Sequence, residues 1–578
     1  MAEKRIGVYV CWCGSNIARM VDVEEVSSHI SKIQDVTVAR NYQYMCSDPG
    51  QDQIVNDIKE FKLNRIVVAA CSPRIHEFTF RKALEHAGLN PYLLEMANIR
   101  EQVSWVHNDR SEATQKAIAL VAAAVHRVRW HEALDKRLVD IKPSTLIVGG
   151  GIAGMTAALE IADAGKQAFL IEKSEHLGGI VAEVDLTFPY FDSTQQVIRS
   201  VIDRVLNLPN IRVFLNTNLE EVYGYIGNFE TSFNYQEEEV KLEFGHIVIA
   251  TGLKPFDPSI IPQYGYTKYP NVITSFQFEN MLKRGRIVTS RGDEPKNVVI
   301  IHCVGSRNSH YHEYCSRTCC STALKYSNQI RSALPHASIY QLYADMRSYG
   351  KGCEELYRDT SRKNVLFLMF NQNDGLPLIR KGARNEYPNL VVEVDEKLTG
   401  EQVLVPADLI ILMVAMEAHD TAKSVAHMTG IAMCSNEFYI EKHPKLDPVA
   451  TTTDGVFIVG SCQAPKDIPN TVAQARAATA RILANISLGK MNVEVTTASV
   501  NEEICCGCQT CISLCPYTAI SYDMDKKVSR VNEILCKGCG TCGSSCPTGA
   551  IRSRHFTDQQ ILSEIRELIV KSKELMEV

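Results

Sequence analysis

TLIVGGGIAGMTAALEIADAG, residues 145–165, reads as a strand, a glycine turn and a helix. An apolar run ending at Val148 feeds Gly149-x-Gly151-x-x-Gly154, and small and apolar residues then continue at helical spacing. Gly149 permits the tight turn, Gly151 lets the backbone approach a pyrophosphate, and Gly154 allows the helix to pack closely with its N-terminus facing the phosphates. The next strand, QAFLIE, ends on Glu172, eighteen residues beyond Gly154, where a carboxylate can bind ribose hydroxyls; Lys173 follows. A dinucleotide-binding α/β domain is the expectation.

Three further segments agree with it. Glu175-His176-Leu177-Gly178-Gly179 brings backbone close to the dinucleotide again, Ala250-Thr251-Gly252 follows the strand HIVI, and Thr453-Asp454-Gly455-Val456-Phe457-Ile458-Val459-Gly460-Ser461 precedes a helix. Together they resemble the two-part FAD site of the thioredoxin-reductase-like flavoproteins. The expected FAD contacts are Gly149, Gly151, Gly154, Glu172, Lys173, Gly178, Gly179, Ala250, Thr251, Gly252, Gly460 and Ser461. The plainer alternative is a Rossmann fold with nothing bound.

Downstream of that domain one cysteine pattern occurs twice, as Cys505-x2-Cys508-x2-Cys511-x3-Cys515-Pro516 and Cys536-x2-Cys539-x2-Cys542-x3-Cys546-Pro547, offset by 31 residues. Three thiolates at this spacing wrap one face of a 4Fe-4S cube, and the fourth cysteine of each run reaches across to the other cluster. Zinc ribbons need two C-x2-C pairs, not interlocked quartets. A two-cluster ferredoxin module is expected.

Eight more cysteines fall into two groups. Where flavin disulfide reductases carry a nicotinamide domain, NVVII leads into HCVGSRNSHYHEYCSRTCC, which lacks the GxGxxG glycines and carries Cys303, Cys315, Cys319 and Cys320. Free cysteines often pack as small hydrophobes, but adjacent Cys319-Cys320 in a polar, arginine-containing loop is poor core material, and an unconventional 4Fe-4S site is the favoured reading. Cys11 and Cys13 follow the first strand, Cys46 lies in the loop YMCSDPG, and Cys71 follows the strand RIVVAA. Loops at the carboxyl ends of parallel strands converge on one sheet edge, so these thiols either meet there around a cluster or merely pack. Cys353, Cys434, Cys462 and Cys506 have no ligand spacing.

Composition frames these motifs. At 578 residues and 45% hydrophobic, the chain suits several globular domains. Its 61 Lys+Arg against 67 Asp+Glu leave no electrostatic footprint for nucleic acid or an anionic membrane. The start MAEKRIGVYV lacks an apolar signal core and the run Leu409 to Met416 is too short to span a bilayer, so a cytoplasmic protein is expected. Twenty cysteines in that compartment point to metal ligation rather than disulfides.

The expected fold class is α/β and multidomain: an N-terminal α/β domain over 1–138 with a 4Fe-4S cluster, a thioredoxin-reductase-like FAD (Rossmann-type) domain over 139–490 with an unconventional 4Fe-4S site, a two-cluster ferredoxin domain over 491–556, and an amphipathic helix over 557–578 with Ile561, Ile565, Leu568, Ile569 and Met576 at helical spacing.

Nearly the whole chain resembles the A-type polypeptide of heterodisulfide reductase, the flavin and iron-sulfur component found in methanogens and, in related forms, in anaerobic bacteria. The resemblance rests on Cys11-Trp12-Cys13-Gly14, Cys46-Ser47-Asp48-Pro49-Gly50-Gln51, Ala69-Ala70-Cys71-Ser72-Pro73-Arg74, Asn98-Ile99-Arg100-Glu101, the flavin motifs, the CVGSR…YCSRTCC segment, Cys462-Gln463-Ala464-Pro465-Lys466-Asp467-Ile468-Pro469 and the ferredoxin repeats. It implies an FAD that splits electron pairs between B- and C-type subunits and low-potential ferredoxin. It also implies a homodimer within a larger complex, with a hydrogenase, formate dehydrogenase or NADH-oxidising module as donor. One departure stands out. Many methanogen members insert a second ferredoxin domain in the first flavin half, whereas here Tyr225-Ile226-Gly227-Asn228-Phe229 runs through QEEEV straight into HIVIATG. A non-bifurcating electron-transfer hub in another anaerobic complex, such as an aromatic-ring reductase, needs the same cofactors and is the alternative. No acid-base residue stands out: His176, Lys254, Glu355 and Lys466 are equal candidates to face the flavin ring.

Overall fold

The computed structural model describes residues 3–135, 137–373, 375–383, 389–493 and 495–576. The chain divides into two compact units, Met1–Leu138 with Asn492–Val578, and Val139–Met491.

In the first unit, IGVYVC and RIVVAA form the strands Ile6–Cys11 and Arg65–Ala70 at the centre of a four-stranded parallel sheet, flanked by Val36–Tyr42 and Leu94–Asn98. Continuous apolar runs suit strands covered on both faces. Val8 and Val10 face one core with Ile17, Val26 and Val121, while Tyr9 and Cys11 face another with Val68 and Phe80. The helix Arg110–Val128 closes the first core, with Asp109 capping its N-terminus by accepting from Glu112 N–H at 2.9 Å, a contact worth about 1 kcal/mol.

The same unit holds the ferredoxin-like segment, two antiparallel ribbons (Ala498–Val500 with Ile551–Ser553, and Ile520–Asp523 with Val528–Val531) and two short helices, Thr510–Leu514 and Thr541–Ser544. The C-terminal helix Asp558–Met576 lies along Arg110–Val128. Residues 577–578 and the side chains beyond Val570 fall outside the described part. This helix docks by its polar side: Arg127 donates to Glu564 at 3.0 Å, His126 lies 3.4 Å from Glu567, and Gln560 donates to the Trp130 carbonyl at 3.2 Å. Its apolar stripe is only partly covered: Ile561, Ile565 and Ile569 keep 39%, 44% and 52% exposure.

The second unit contains two five-stranded parallel sheets. One runs Val456–Ile458, His246–Ile249, Ser144–Val148, Gln167–Ile171, Ile211–Phe214. The helix Ile152–Asp163 opens at its edge, and a three-stranded antiparallel layer, Tyr223–Tyr225, Asn228–Tyr235 and Glu238–Phe244, occupies the stretch before HIVI. The other runs Val272–Thr274, Leu409–Val414, Asn297–Val304, Ser338–Tyr343, Val365–Met369. Leu409–Val414, the run too short for a bilayer, is a wholly buried strand of it. Among the described residues no helix is long and apolar enough to cross a membrane.

Candidate functional site

The glycines of the first sheet stand where side chains have no room. An ideal Cβ on Gly154 would lie 1.9 Å from the Gly149 carbonyl oxygen, and one on Gly149, at φ +111°, 2.3 Å from the Ala250 carbonyl oxygen. Gly151 differs: nothing lies within 4 Å of its Cβ position, so the helix N-terminus is left open to a phosphate group. Gly178 bridges to Gly151, and a Cβ on Gly179 would come within 3.2 Å of Gly151 Cα, which brings the second glycine segment to the same turn. Buried Glu172 accepts from Gly150 N–H at 2.6 Å through one oxygen and from Ser174 N–H at 2.8 Å through the other. The carboxylate thus also braces the turn. Lys173 Nζ meets His419 Nε2 at 2.5 Å. Gly460 donates to Gln474 Oε1 at 2.8 Å, which also accepts from Lys466 Nζ at 3.0 Å. Burial, foremost, lowers the Lys466 ammonium to about 8.

In the second sheet the strand Asn297–Val304 ends in a turn with Cys303 at φ +57° and Arg307 at φ +56°. The turn is filled: Gln372 Nε2 donates to the carbonyls of Cys303 at 2.8 Å and Ser306 at 3.1 Å, the Phe256 ring closes on Gly305, and Arg307 pairs with Asp345 at 2.5 Å. The helix Cys319–Ala333 begins on the two adjacent thiols. Hydrogen bonding from Cys319 pulls both Cys303 and Cys320 below the usual thiol range and pushes Cys319 well above it, so three sulfurs meet at one helix N-terminus. Such an end favours thiolates. Cys315, four residues before Cys319, accepts from Arg317 N–H at 3.3 Å. Ser306 Oγ, buried nearby, has no hydrogen-bond partner among the described residues, as suits a donor awaiting a cluster sulfur.

Cys11, Cys13, Cys46 and Cys71 stand at the carboxyl edge of the first unit's sheet. Cys13 N–H donates to Cys11 Sγ at 3.3 Å, and Arg100 Nη1 reaches Cys13 Sγ at 3.5 Å. Burial is the main cause raising the thiols of Cys11, Cys46 and Cys71, the last to about 11; Cys13 is near enough to raise all three further, and Arg100 opposes the rise at Cys46 and Cys71. Separate loops therefore deliver their thiols to one place beside a guanidinium. In the ferredoxin-like segment a small cavity is lined by Cys536, Cys539 and Cys542 and, from the other repeat, Cys515. Hydrogen bonds from Thr510 lower the Cys508 thiol, and Cys546 of the second repeat lies close enough to act on it in the opposite sense. Among the described residues no trio of His, Cys, Asp or Glu is gathered as for a single metal ion.

A model of the pyridine nucleotide-disulphide oxidoreductases matches residues 143–301, and one of the 4Fe-4S dicluster domain matches 497–561. The iron-sulfur A-type polypeptide of the CoB–CoM heterodisulfide reductase of Methanocaldococcus jannaschii is 38% identical over 97% of this chain and 98% of its own. This chain belongs to the A-type family of heterodisulfide reductase polypeptides. A second member, the A-type polypeptide of the H2/formate:CoB-CoM heterodisulfide,ferredoxin reductase of Methanococcus maripaludis, is 36% identical over 100% of both chains. A thioredoxin reductase crystal structure from T. acidophilum covers 60% of this chain and 100% of its own at a TM-score of 0.42 and 14% identity. As a member of the A-type family, the chain is a flavin-dependent iron-sulfur oxidoreductase with FAD and 4Fe-4S clusters as cofactors.

Some of the site was not legible from motif spacing. Gln372 and Gln474 reach their turns from 69 and 14 residues away, and no local pattern marks them. Arg100 lies in the motif Asn98-Ile99-Arg100-Glu101, but its approach to Cys13 crosses 87 residues.

Proposed function

We propose that this chain is the flavin hub of a heterodisulfide-reductase-like complex, passing and bifurcating electrons between a donor module, ferredoxin and B- and C-type reductase subunits. The observation that carries the reading is the substitution of thiols for a second dinucleotide site: Cys303, Cys319 and Cys320 meet where a pyrophosphate would otherwise approach the helix. When bound, FAD supplies a centre that takes electrons as a pair and gives them singly, and the clusters supply one-electron steps. Gly149, Gly151, Gly154, Gly178 and Gly179 are assigned to the pyrophosphate, Glu172 and Lys173 to the ribose end, and Ala250, Thr251, Gly252, Gly460 and Ser461 to the remaining bed. Lys466, lowered by burial, holds or releases a proton at Nζ near pH 8. The ligand sets are Cys505, Cys508, Cys511 with Cys546; Cys536, Cys539, Cys542 with Cys515; Cys303, Cys315, Cys319, Cys320; and Cys11, Cys13, Cys46, Cys71.

The proposed partners are B- and C-like subunits, ferredoxin, a second copy of the chain, and a hydrogenase, formate dehydrogenase or NADH-oxidising donor in the cytoplasm. The name of the Methanococcus maripaludis relative, with its hydrogen, formate and ferredoxin, supports this choice. The test of bifurcation is reduction of ferredoxin by the assembled complex. It should proceed only while a high-potential acceptor is also being reduced, and ferredoxin reduction that ignores the acceptor would leave a non-bifurcating hub.

Two results are expected of the isolated chain. Anaerobic purification should yield about 16 iron and about 16 acid-labile sulfide per FAD. About eight iron would leave only the C-terminal pair, and about twelve would remove one unconventional site. Stopped-flow mixing with NADH should leave the oxidised flavin absorbance unchanged, because Gln372, Phe256 and Arg307 fill the turn that a second dinucleotide would need. Rapid stoichiometric bleaching would return the chain to the pyridine-nucleotide-linked reductases.

A further inference from the structure

Lys325 and Glu279 form an ion pair at 2.6 Å with side chains only 1% and 3% exposed. A pair so far from water is a weak source of stability and persists only where its remaining donors and acceptors are satisfied. Tyr326 takes part of them, and one segment takes the rest. Lys325 Nζ also donates to the Leu186 carbonyl at 2.8 Å, and Glu279 Oε2 accepts from Asp185 N–H at 2.9 Å. Neighbours reinforce the attachment: Lys283 Nζ donates to the Ala182 carbonyl at 2.7 Å and Gln329 Nε2 to Asp185 at 3.1 Å.

The two ends of this link are both functional. Segment 182–186 begins three residues after Gly179, the glycine that presses on Gly151 in the flavin bed. Lys325 stands on the helix Cys319–Ala333, whose first two residues are the thiols Cys319 and Cys320, and Glu279 on the helix Ser275–Lys283 of the same sheet domain. The ion pair thus joins segment 182–186 to the thiol-bearing helix, and it is the one fully buried charged link between them among the described residues.

We propose that Lys325 and Glu279 are positioning residues that hold the helix bearing Cys319 and Cys320 at fixed range from the flavin bed, so that one electron leaves one centre as it enters the other at constant distance. The pair itself moves no proton and breaks no bond. The inference rests on the reading of Cys303, Cys315, Cys319 and Cys320 as cluster ligands. Its physical basis is that electron tunnelling falls steeply with distance, so a loose joint between two packed domains would slow transfer without removing either cofactor.

The test uses the anaerobically purified holoprotein carrying Glu279→Leu together with Lys325→Met. Removing both charges at once leaves neither buried and unpaired. Iron content, FAD content and Tm should stay at wild-type values. Amide exchange over 182–186 and over the first turn of the 319–333 helix should quicken about tenfold, and the emission lifetime of the bound flavin, quenched by a neighbouring cluster at short range, should lengthen. Faster exchange at Asp185 alone with an unchanged lifetime would make the pair an ordinary structural contact and overturn the proposal, as would a double variant that fails to fold. Iron analysis showing the Cys303 site empty in the wild type would remove the underlying reading, and this inference with it, before any variant is compared.

Discussion

Cys515→Ala should lower the iron content by about four from the about sixteen proposed, and the lost irons should belong to the proposed cluster of Cys536, Cys539 and Cys542 rather than to that of Cys505, Cys508 and Cys511. The expectation arises from the repeat, in which the fourth cysteine crosses over, and from the cavity that Cys515 shares with the three cysteines of the other run. The sulfurs are close enough to act on one another: after burial, which is the largest cause, Cys536, Cys539 and Cys515 all raise the Cys542 thiol. Ala519 N–H, 3.3 Å from Cys515 Sγ, and Ala498 N–H, 3.3 Å from Cys536 Sγ, point at the same lining, and the first would be left without its acceptor. Iron analysis joined to electron paramagnetic resonance of the reduced protein decides the matter. Loss of the cluster of Cys505, Cys508 and Cys511 would show that the fourth ligand stays within its own repeat.

Gly154→Ala should purify with FAD reduced about tenfold or more, because its methyl would fall on the Gly149 carbonyl and displace the turn that faces the pyrophosphate. The turn cannot retreat, since Gly149 is itself backed against the Ala250 carbonyl. Overpacking of this kind costs about 1–3 kcal/mol, so the apoprotein should also melt earlier. Gly151→Ala separates binding from folding. Its Cβ meets nothing within 4 Å in the protein alone, so the apoprotein should melt as the wild type does while still binding FAD poorly. Full FAD occupancy in Gly151→Ala would place the pyrophosphate elsewhere.

What could be read from the chain in one dimension was what local stereochemistry and short spacing control. The strand, turn and helix of residues 145–165 follow from an apolar run, glycines at a tight turn and small residues at helical period, and each of these acts over a few residues. The ferredoxin repeats are legible for the same reason, because three of every four cysteines lie within a single loop. Cys303, Cys315, Cys319 and Cys320 fall in one short segment of the sequence, and Cys303 meets Cys319 and Cys320 at the helix N-terminus. For the C-terminal helix, amphipathic period reports that a face exists and not what it meets: the helix lies along Arg110–Val128 with Glu564, Glu567 and Gln560 making its polar contacts and Ile561, Ile565 and Ile569 left half exposed. Only the tertiary structure decided which loops meet. Strand order in a parallel sheet is set by packing between segments far apart in sequence, and that order brings Cys11, Cys13, Cys46 and Cys71 to one edge with Arg100. The Lys325–Glu279 joint and the Gln372 clamp are likewise contacts across 46 and 69 residues, where no periodicity in the sequence reaches.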